Sequence, residues 1–372
     1  MPPAAPARLR VTGLFFRGAR VATFVALGCL LFPHLRGAET QLSGQTYLPL
    51  SDVAARYGMK LGWGESDKTM QLQNSYCTIE CTVNERSLRL NGQPMALGFP
   101  IIDRGGMFYL AKLDFDYNLF PLLSPGQIPG VPSLHRIIID PGHGGDDPGT
   151  QNAALQTNEK TNTLDTGLRL AEELRKRGYE VILTRTSDVT FDRKKRPIFA
   201  NNSKGDLYLS IHFNETDVNS VSGVETWILT PPWEPSSTQP KFVDADKNVL
   251  PGNRFDLWNT LIGFSVERTV TKELGAENRG VKRARYDVLV PLNMPGLLVE
   301  CGFLSNPTEG RLILTPDYRQ KIALALADGI DLYKTTLDKL RPHTPAPPPS
   351  PTTPPRHPEM INEISLPRSV AP

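Results

Sequence analysis

Two histidines stand where apolar runs stop, and imidazoles in that position suit a metal site. Residues Arg136 to Ile139 run straight into Asp140-Pro141-Gly142-His143-Gly144-Gly145, and Leu207 to Ile211 end in His212. In open parallel α/β sheets the loops leaving the carboxyl ends of strands converge on a crevice where binding groups gather. Glycines on both sides of His143 allow a sharp turn and a close approach to a ligand. The other histidines offer less: His34 lies in an N-terminal apolar segment, His343 and His357 in a proline-rich tail, and His135 in a loop after Val131-Pro132-Ser133.

A catalytic zinc site commonly uses three protein ligands, often two His and one Glu, and leaves the fourth position open. Glu159 is the best third ligand, because Thr157-Asn158-Glu159-Lys160 starts the helix that follows the His143 loop and faces the same end of the sheet. The structural alternative is a helix N-terminal glutamate interacting with the dipole. Glu300 ends the apolar run Leu297-Leu298-Val299, where a charge is costly to bury unless it is paired or functional. Its role would be general base, taking a proton from the attacking water while the metal polarises the scissile carbonyl.

The elements that must hold these groups alternate as βαβ. A strand over 136 to 140 leads through the glycine-rich loop to a helix over 158 to 177, with Leu164, Leu168, Ala171 and Leu174 on its apolar face and Gly178 as its stop. Strand 180 to 184, helix 193 to 202, strands 207 to 211 and 225 to 229, helix 255 to 274, strand 296 to 301, a helical turn opened by Asn306-Pro307 and a last helix over 316 to 337 follow. This pattern predicts an α/β fold with a mostly parallel twisted sheet flanked by helices. Residues 41 to 123 alternate short strands and turns, including the Asn91-Gly92 turn, and predict a small α+β domain. The Pro/Gly-rich run 124 to 134 reads as a linker, residues 135 to 340 as the catalytic domain, and 341 to 372 as a proline-rich disordered tail.

With 372 residues and a net charge of only +2, the chain has room for about two domains plus tails. Nothing in that charge points to nucleic acid. The basic runs Arg175-Lys176-Arg177 and Arg193-Lys194-Lys195-Arg196 read as solvated helix faces. Residues 1 to 40 have the layout of a signal peptide or N-terminal anchor: Arg8, Arg10, Arg17 and Arg20 precede an apolar run from Val21 to Phe32, with Gly37-Ala38 as a cleavage region. The chain is therefore expected to be exported, to the periplasm or cell envelope. Leu30-Leu31-Phe32 after Cys29 argue against lipid attachment there. Cys77 and Cys81, four apart in an apparent strand, sit about 13 Å apart, beyond disulfide reach, and are expected to be free thiols.

Taken in order, Asp-Pro-Gly-His-Gly-Gly, the helix-initial Glu159-Lys160, Ser210-Ile211-His212-Phe213-Asn214 and Val299-Glu300-Cys301-Gly302-Phe303-Leu304-Ser305-Asn306 resemble the motif set of the zinc-dependent N-acetylmuramoyl-L-alanine amidases of the cell-wall type. Leu183 to Asp188, Arg196 to Asn201, Arg279 to Lys282 and Tyr286 to Leu289 agree as well, so that the similarity spans about residues 136 to 335. The resemblance implies that His143, Glu159 and His212 bind Zn2+, that Glu300 is the catalytic base, and that the substrate is peptidoglycan, cleaved between the lactyl group of N-acetylmuramic acid and L-alanine. Phe213 and Glu215 replace the small residues usual after the second histidine, which implies a narrower or more acidic pocket rim. Some members carry a long inhibitory helix after the next strand; here 231 to 253 is short and rich in Pro, Ser and Asp, and a rim loop is expected instead.

The N-terminal module more weakly resembles the small domain at the front of copper amine oxidases, through Leu88 to Pro94 and Gly105 to Leu110. The resemblance implies no copper; wall or activator binding through this module is one functional expectation and a purely structural role the other. Two other readings stay open: a zinc exopeptidase or carboxypeptidase acting on wall peptides, and a non-catalytic wall-binding activator, which should have lost ligands that this chain retains.

Overall fold

The computed structural model describes residues 39–341 apart from 43 and 240. The expected signal segment and the proline-rich tail thus lie outside the described residues. Among those described, no helix is long and apolar enough to cross a membrane.

The N-terminal part runs β1 (Thr40–Leu42), β2 (Gln45–Pro49), α1 (Leu50–Arg56), β3 (Lys60–Trp63), β4 (Thr69–Gln73), β5 (Thr78–Thr82), β6 (Ser87–Leu90), β7 (Gln93–Ala96), β8 (Ile102–Arg104) and β9 (Met107–Ala111). Then come α2 (Lys112–Asp114), a π-helical turn and α3 (Phe120–Leu123). Period-two alternation drives the strands: Met70 and Leu72, Ile79 and Cys81, Leu88 and Leu90 point into one core while their neighbours face out. Cys77, Cys81 and Cys301 are all free.

The second part contains β10 (Arg136–Pro141), the short ribbon β11 (Gln151–Asn152) and β12 (Thr157–Asn158), α4 (Glu159–Lys176), β13 (Glu180–Leu183), α5 (Lys195–Asn202), β14 (Leu207–Asn214) and β15 (Val224–Leu229). It closes with α6 (Asp256–Leu274), β16 (Asn278–Ala284), β17 (Gly296–Phe303), α7 (Pro307–Ile313) and α8 (Pro316–Leu340). The caps are the ones local chemistry predicts. Asn158, Asn306 and Thr315 accept from the first-turn amides of α4, α7 and α8, with Pro307 and Pro316 opening the last two.

β13-β10-β14-β17 are parallel neighbours, and β17 meets β15 antiparallel. The consecutive isoleucines of β10 show why these strands are apolar on both sides: Ile137 and Ile139 enter the core beneath α4, α6 and α8, and Ile138 enters a second core with Tyr208, Trp227 and Leu298. The same alternation governs β14, where Leu207, Leu209, Ile211 and Phe213 face the helices, and His212 takes the opposite face.

Three expectations need correcting. Leu168 is 40% exposed, and the buried stripe of α4 is instead Thr163, Thr166, Gly167, Leu170, Ala171 and Leu174. The first turns of that helix lie over the His143 loop, where Thr163 Oγ1 donates to the Gly142 carbonyl at 2.7 Å beside Arg185 Nη2 at 2.8 Å, and the buried leucines begin only at Leu170. β16 was not anticipated as a strand, its basic composition masking it. Phe213 does not narrow the pocket rim; it is fully buried in the helix-covered core.

The N-terminal strands also continue the main sheet, in the order β16-β7-β6-β5-β4-β3. β7 pairs in parallel with β16 through Met95 and Val281. Gly280 makes the junction possible: its φ is +83°, and a Cβ there would lie 2.5 Å from the Pro94 carbonyl oxygen. The Pro/Gly run between the two parts is packed rather than free, with Ile128 and Leu134 in the helix-side core.

Candidate metal centre

Strand register places the predicted groups side by side. β14 and β17 pair His212 with Glu300, and β17 and β15 pair Glu300 with Glu225, so that all three point from one sheet face. His143 sits in the loop after β10, and Glu159 at the first position of α4 reaches back between the two imidazoles. Its Oε2 lies 3.1 Å from His143 Nε2 and its Oε1 2.8 Å from His212 Nδ1. The amides of Thr150 and Phe213 donate to the same carboxylate at 2.9 and 3.0 Å. One ligand atom from each of His143, Glu159 and His212 falls within 4.8 Å of the others, a spacing that fits a single metal ion held by two nitrogens and one oxygen.

The backbone is shaped around this convergence. His143 itself adopts φ +61°, a left-handed conformation that costs energy for a residue with a side chain and concentrates at functional sites. A Cβ on Gly142 would lie 2.3 Å from His212 Cε1, so the loop can pass under the second imidazole only as glycine.

Electrostatics separate the two carboxylates. Burial opposes ionisation of Glu159, but hydrogen bonds and charge from His143 and His212 hold its carboxyl far below the usual range. His143 is also desolvated, yet Glu159 and Asp147, whose Oδ2 lies 2.9 Å from His143 Nδ1, raise its pKa. Glu300 moves the other way: burial first, then the charges of Glu159 and Glu225, push its carboxyl well above the ordinary value against a smaller opposing pull from Lys282. Glu300 Oε2 is buried with no hydrogen-bonding protein group. A cavity of about 270 Å³ opens at this point, with His143, His212, Tyr286, Leu298 and Glu300 among its walls.

Comparison with known proteins bears on this geometry. Residues 137–332 match the family model described as N-acetylmuramoyl-L-alanine amidase. The chain belongs to this amidase family. Residues 38–112 match the copper amine oxidase N-terminal domain. A curated Staphylococcus aureus relative, "Probable cell wall amidase LytH", is 32% identical over 198 residues, which cover 53% of this chain and 57% of that protein; the chain thus spans little more than half the length of the relative it matches. Among solved structures, an N-acetylmuramoyl-L-alanine amidase from Clostridium difficile 630 is 31% identical, with a TM-score of 0.45 over 54% of this chain and 97% of its own. The CwlD amidase of Clostridioides difficile, solved in complex with the GerS lipoprotein, is 28% identical, with a TM-score of 0.46 over 54% and 98%.

In this member of the amidase family, the predicted quartet is accompanied by buried groups that sequence reading passed over. Asp140 is fully buried and accepts from Arg196 Nη1 at 2.7 Å, Tyr208 OH at 2.6 Å, Ser210 Oγ at 2.9 Å and Thr184 Oγ1 at 2.5 Å. Burial works against its charge, but Arg196 and these donors hold its pKa below the ordinary value. Arg196 was expected on a solvated face; it is only 4% exposed and also donates to the carbonyls of Pro141, His143 and Phe191 at 2.9, 2.7 and 2.9 Å. The α5 register turns Arg196 inward while Lys194 and Lys195 stay exposed. Arg177, of the other basic run, is half-buried between Asp328 and Asp331. Asp140 carried the same signal as Glu300, an acid closing an apolar strand; Arg196 carried none.

The segment 231–253 contains two 3-10 turns and no α-helix among its described residues. It leans on the N-terminal part, where Arg86 donates to the Gln239 and Ser236 carbonyls. Glu215, expected at the rim, is exposed, and His135 lies in an exposed loop position.

Proposed function

We propose that the protein is an exported, zinc-dependent peptidoglycan hydrolase that cleaves the amide between the lactyl group of N-acetylmuramic acid and L-alanine. The observation carrying this reading is the convergence of His143, Glu159 and His212 within 4.8 Å beside an unpartnered Glu300 oxygen in an open cavity. The family membership supports the bond attacked, and the two-imidazole, one-carboxylate donor set supports zinc. Zinc held by these three residues would polarise the scissile carbonyl and stabilise the charge that develops on its oxygen.

The remaining steps belong to the chain's own residues. Glu300 takes the proton of the attacking water at Oε2 and delivers it to the leaving alanine nitrogen, a role favoured by a carboxyl whose proton affinity is raised by burial. Asp147 orients His143 through Nδ1, leaving Nε2 directed at Glu159, where these residues would hold the metal. Asp140 and Arg196 hold the loop that carries His143. The N-terminal part, continuous with the catalytic sheet, supports a role in placing the wall substrate or an activator relative to the site.

The experiment is digestion of purified sacculi with mass analysis of the products. Free stem peptides with intact glycan are expected, abolished by chelator and restored by zinc, and reduced about 10²–10⁴-fold in Glu300→Gln. Single released amino acids would instead make the enzyme an exopeptidase, and full activity in Glu300→Gln would remove the base assignment.

A further inference from the structure

Arg193 lines the same cavity as His143, His212 and Glu300, three residues before the buried Arg196. Its Nη2 lies 2.8 Å from Asp287 Oδ2, and the pair is open to solvent, with side-chain exposures of 73% and 41%. Asp287 comes from the segment between β16 and β17, so this ion pair joins two chain segments that both wall the cavity. The backbone beneath Arg193 is fixed: the Lys194 amide donates to Asp192 Oδ1 at 2.7 Å and the Lys195 amide to the Asp192 carbonyl at 3.0 Å. Arg196, one helical turn on, is tied to the His143 carbonyl. Arg193 is thus an exposed guanidinium on a hydrogen-bonded turn that leads into the residue tied to the His143 loop.

Charge then decides what it is for. The cavity walls carry Asp140, Asp147, Asp287 and Glu300. Arg196 is committed to Asp140, and the two histidines face Glu159. Arg193 is thus the solvent-exposed cationic side chain on the cavity wall, and its exposed ion pair contributes little to stability and exchanges readily. Guanidinium and carboxylate match as a planar fork.

Building on the amidase reading, we propose that Arg193 is a specificity-determining residue that takes the carboxylate of the second residue of the stem peptide, with Asp287 holding the guanidinium in place until that carboxylate displaces it.

The test uses the full zinc-loaded chain and two synthetic muramoyl-L-alanyl-γ-glutamyl peptides that differ only in a free carboxylate or a carboxamide on the second residue. Wild type is expected to prefer the carboxylate about tenfold in kcat/KM, mostly through KM, as a charge-assisted contact predicts. Arg193→Gln brings that preference close to one, and Asp287→Asn lowers KM for the carboxylate substrate by removing its internal competitor. Calorimetric binding of both peptides to Glu300→Gln, with and without Arg193→Gln, reads the same preference without turnover. Equal cleavage of both peptides by wild type, or a preference unchanged in Arg193→Gln, overturns the proposal while leaving the amidase reading standing. Cleavage of neither peptide by wild type overturns both.

Discussion

Replacing Arg196 with Met asks whether one buried guanidinium holds the metal loop in place. Methionine keeps the unbranched aliphatic stem but ends short of the guanidinium, so the change removes charge, five donors and the volume of the buried head group. Asp140 is left fully buried without its ion-pair partner, and the His143 and Phe191 carbonyls lose their Arg196 donor; the Pro141 carbonyl keeps Arg185 Nε at 2.9 Å. Breaking a buried pair from one side costs about 3–5 kcal/mol. Because Asp140 retains Thr184, Tyr208 and Ser210, the lower end, about 3 kcal/mol, is expected.

The same substitution should lower zinc affinity about 10–100-fold, since the carbonyl of His143, a proposed ligand, is among the groups released. Urea unfolding followed by tryptophan fluorescence reads the first quantity, and competition with a chromogenic chelator reads the second. A pH signature accompanies them. In wild type the folded pKa of Asp140 is depressed, so its stabilisation is present above the unfolded pKa and is lost as pH falls through the folded one. Without Arg196 that acid-side loss shrinks. A variant within about 1 kcal/mol of wild type, with unchanged zinc affinity and an unchanged acid limb, would refute the role assigned to Arg196.

Gly142→Ala should weaken zinc binding by at least about tenfold, because the new Cβ would lie 2.3 Å from His212 Cε1; a metal titration indistinguishable from wild type would count against it. Gly280→Ala should cost about 2 kcal/mol or more, since φ there is +83° and the Cβ would meet the Pro94 carbonyl at 2.5 Å; protease nicking between the N-terminal strands and β16 should rise, and an unchanged digestion pattern would contradict the close approach of β7. Asp256, buried at the start of α6, has its pKa pushed up to about 8, chiefly by desolvation, with Arg283 opposing. A raised folded pKa means that its contribution is full below the unfolded value and declines as pH climbs toward about 8. Asp256→Asn should therefore flatten the fall in urea stability between pH 5 and pH 8, and identical slopes would rule this out.

The quartet was legible because each member breaks a local pattern. His212 and Glu300 end apolar runs, His143 sits among glycines, and Glu159 opens a helix immediately after that loop. Alternation along β14 and β17 even predicts which face His212 and Glu300 share with Tyr208 and Leu298. Local periodicity misled at Leu168, where a leucine in helical spacing faces solvent because the buried stripe of α4 runs through Gly167, Leu170, Ala171 and Leu174 instead. At Phe213 the expectation drawn from the resemblance failed where periodicity points the right way, since the residue after His212 turns to the opposite side of the strand.

The sequence by itself determined most strands of the main sheet other than β16, the helix caps and the identities of the candidate site groups, because these depend on side-chain type and on periods of two or 3.6 residues. Only the tertiary structure decided that β14 lies beside β17 with His212 opposite Glu300, that Arg196 turns inward to Asp140, and that β7 extends the catalytic sheet through β16. Those pairings join residues 56 to 186 positions apart, and the energy that selects them comes from burial, hydrogen-bond satisfaction and charge pairing between distant segments. No window of neighbouring residues contains that information.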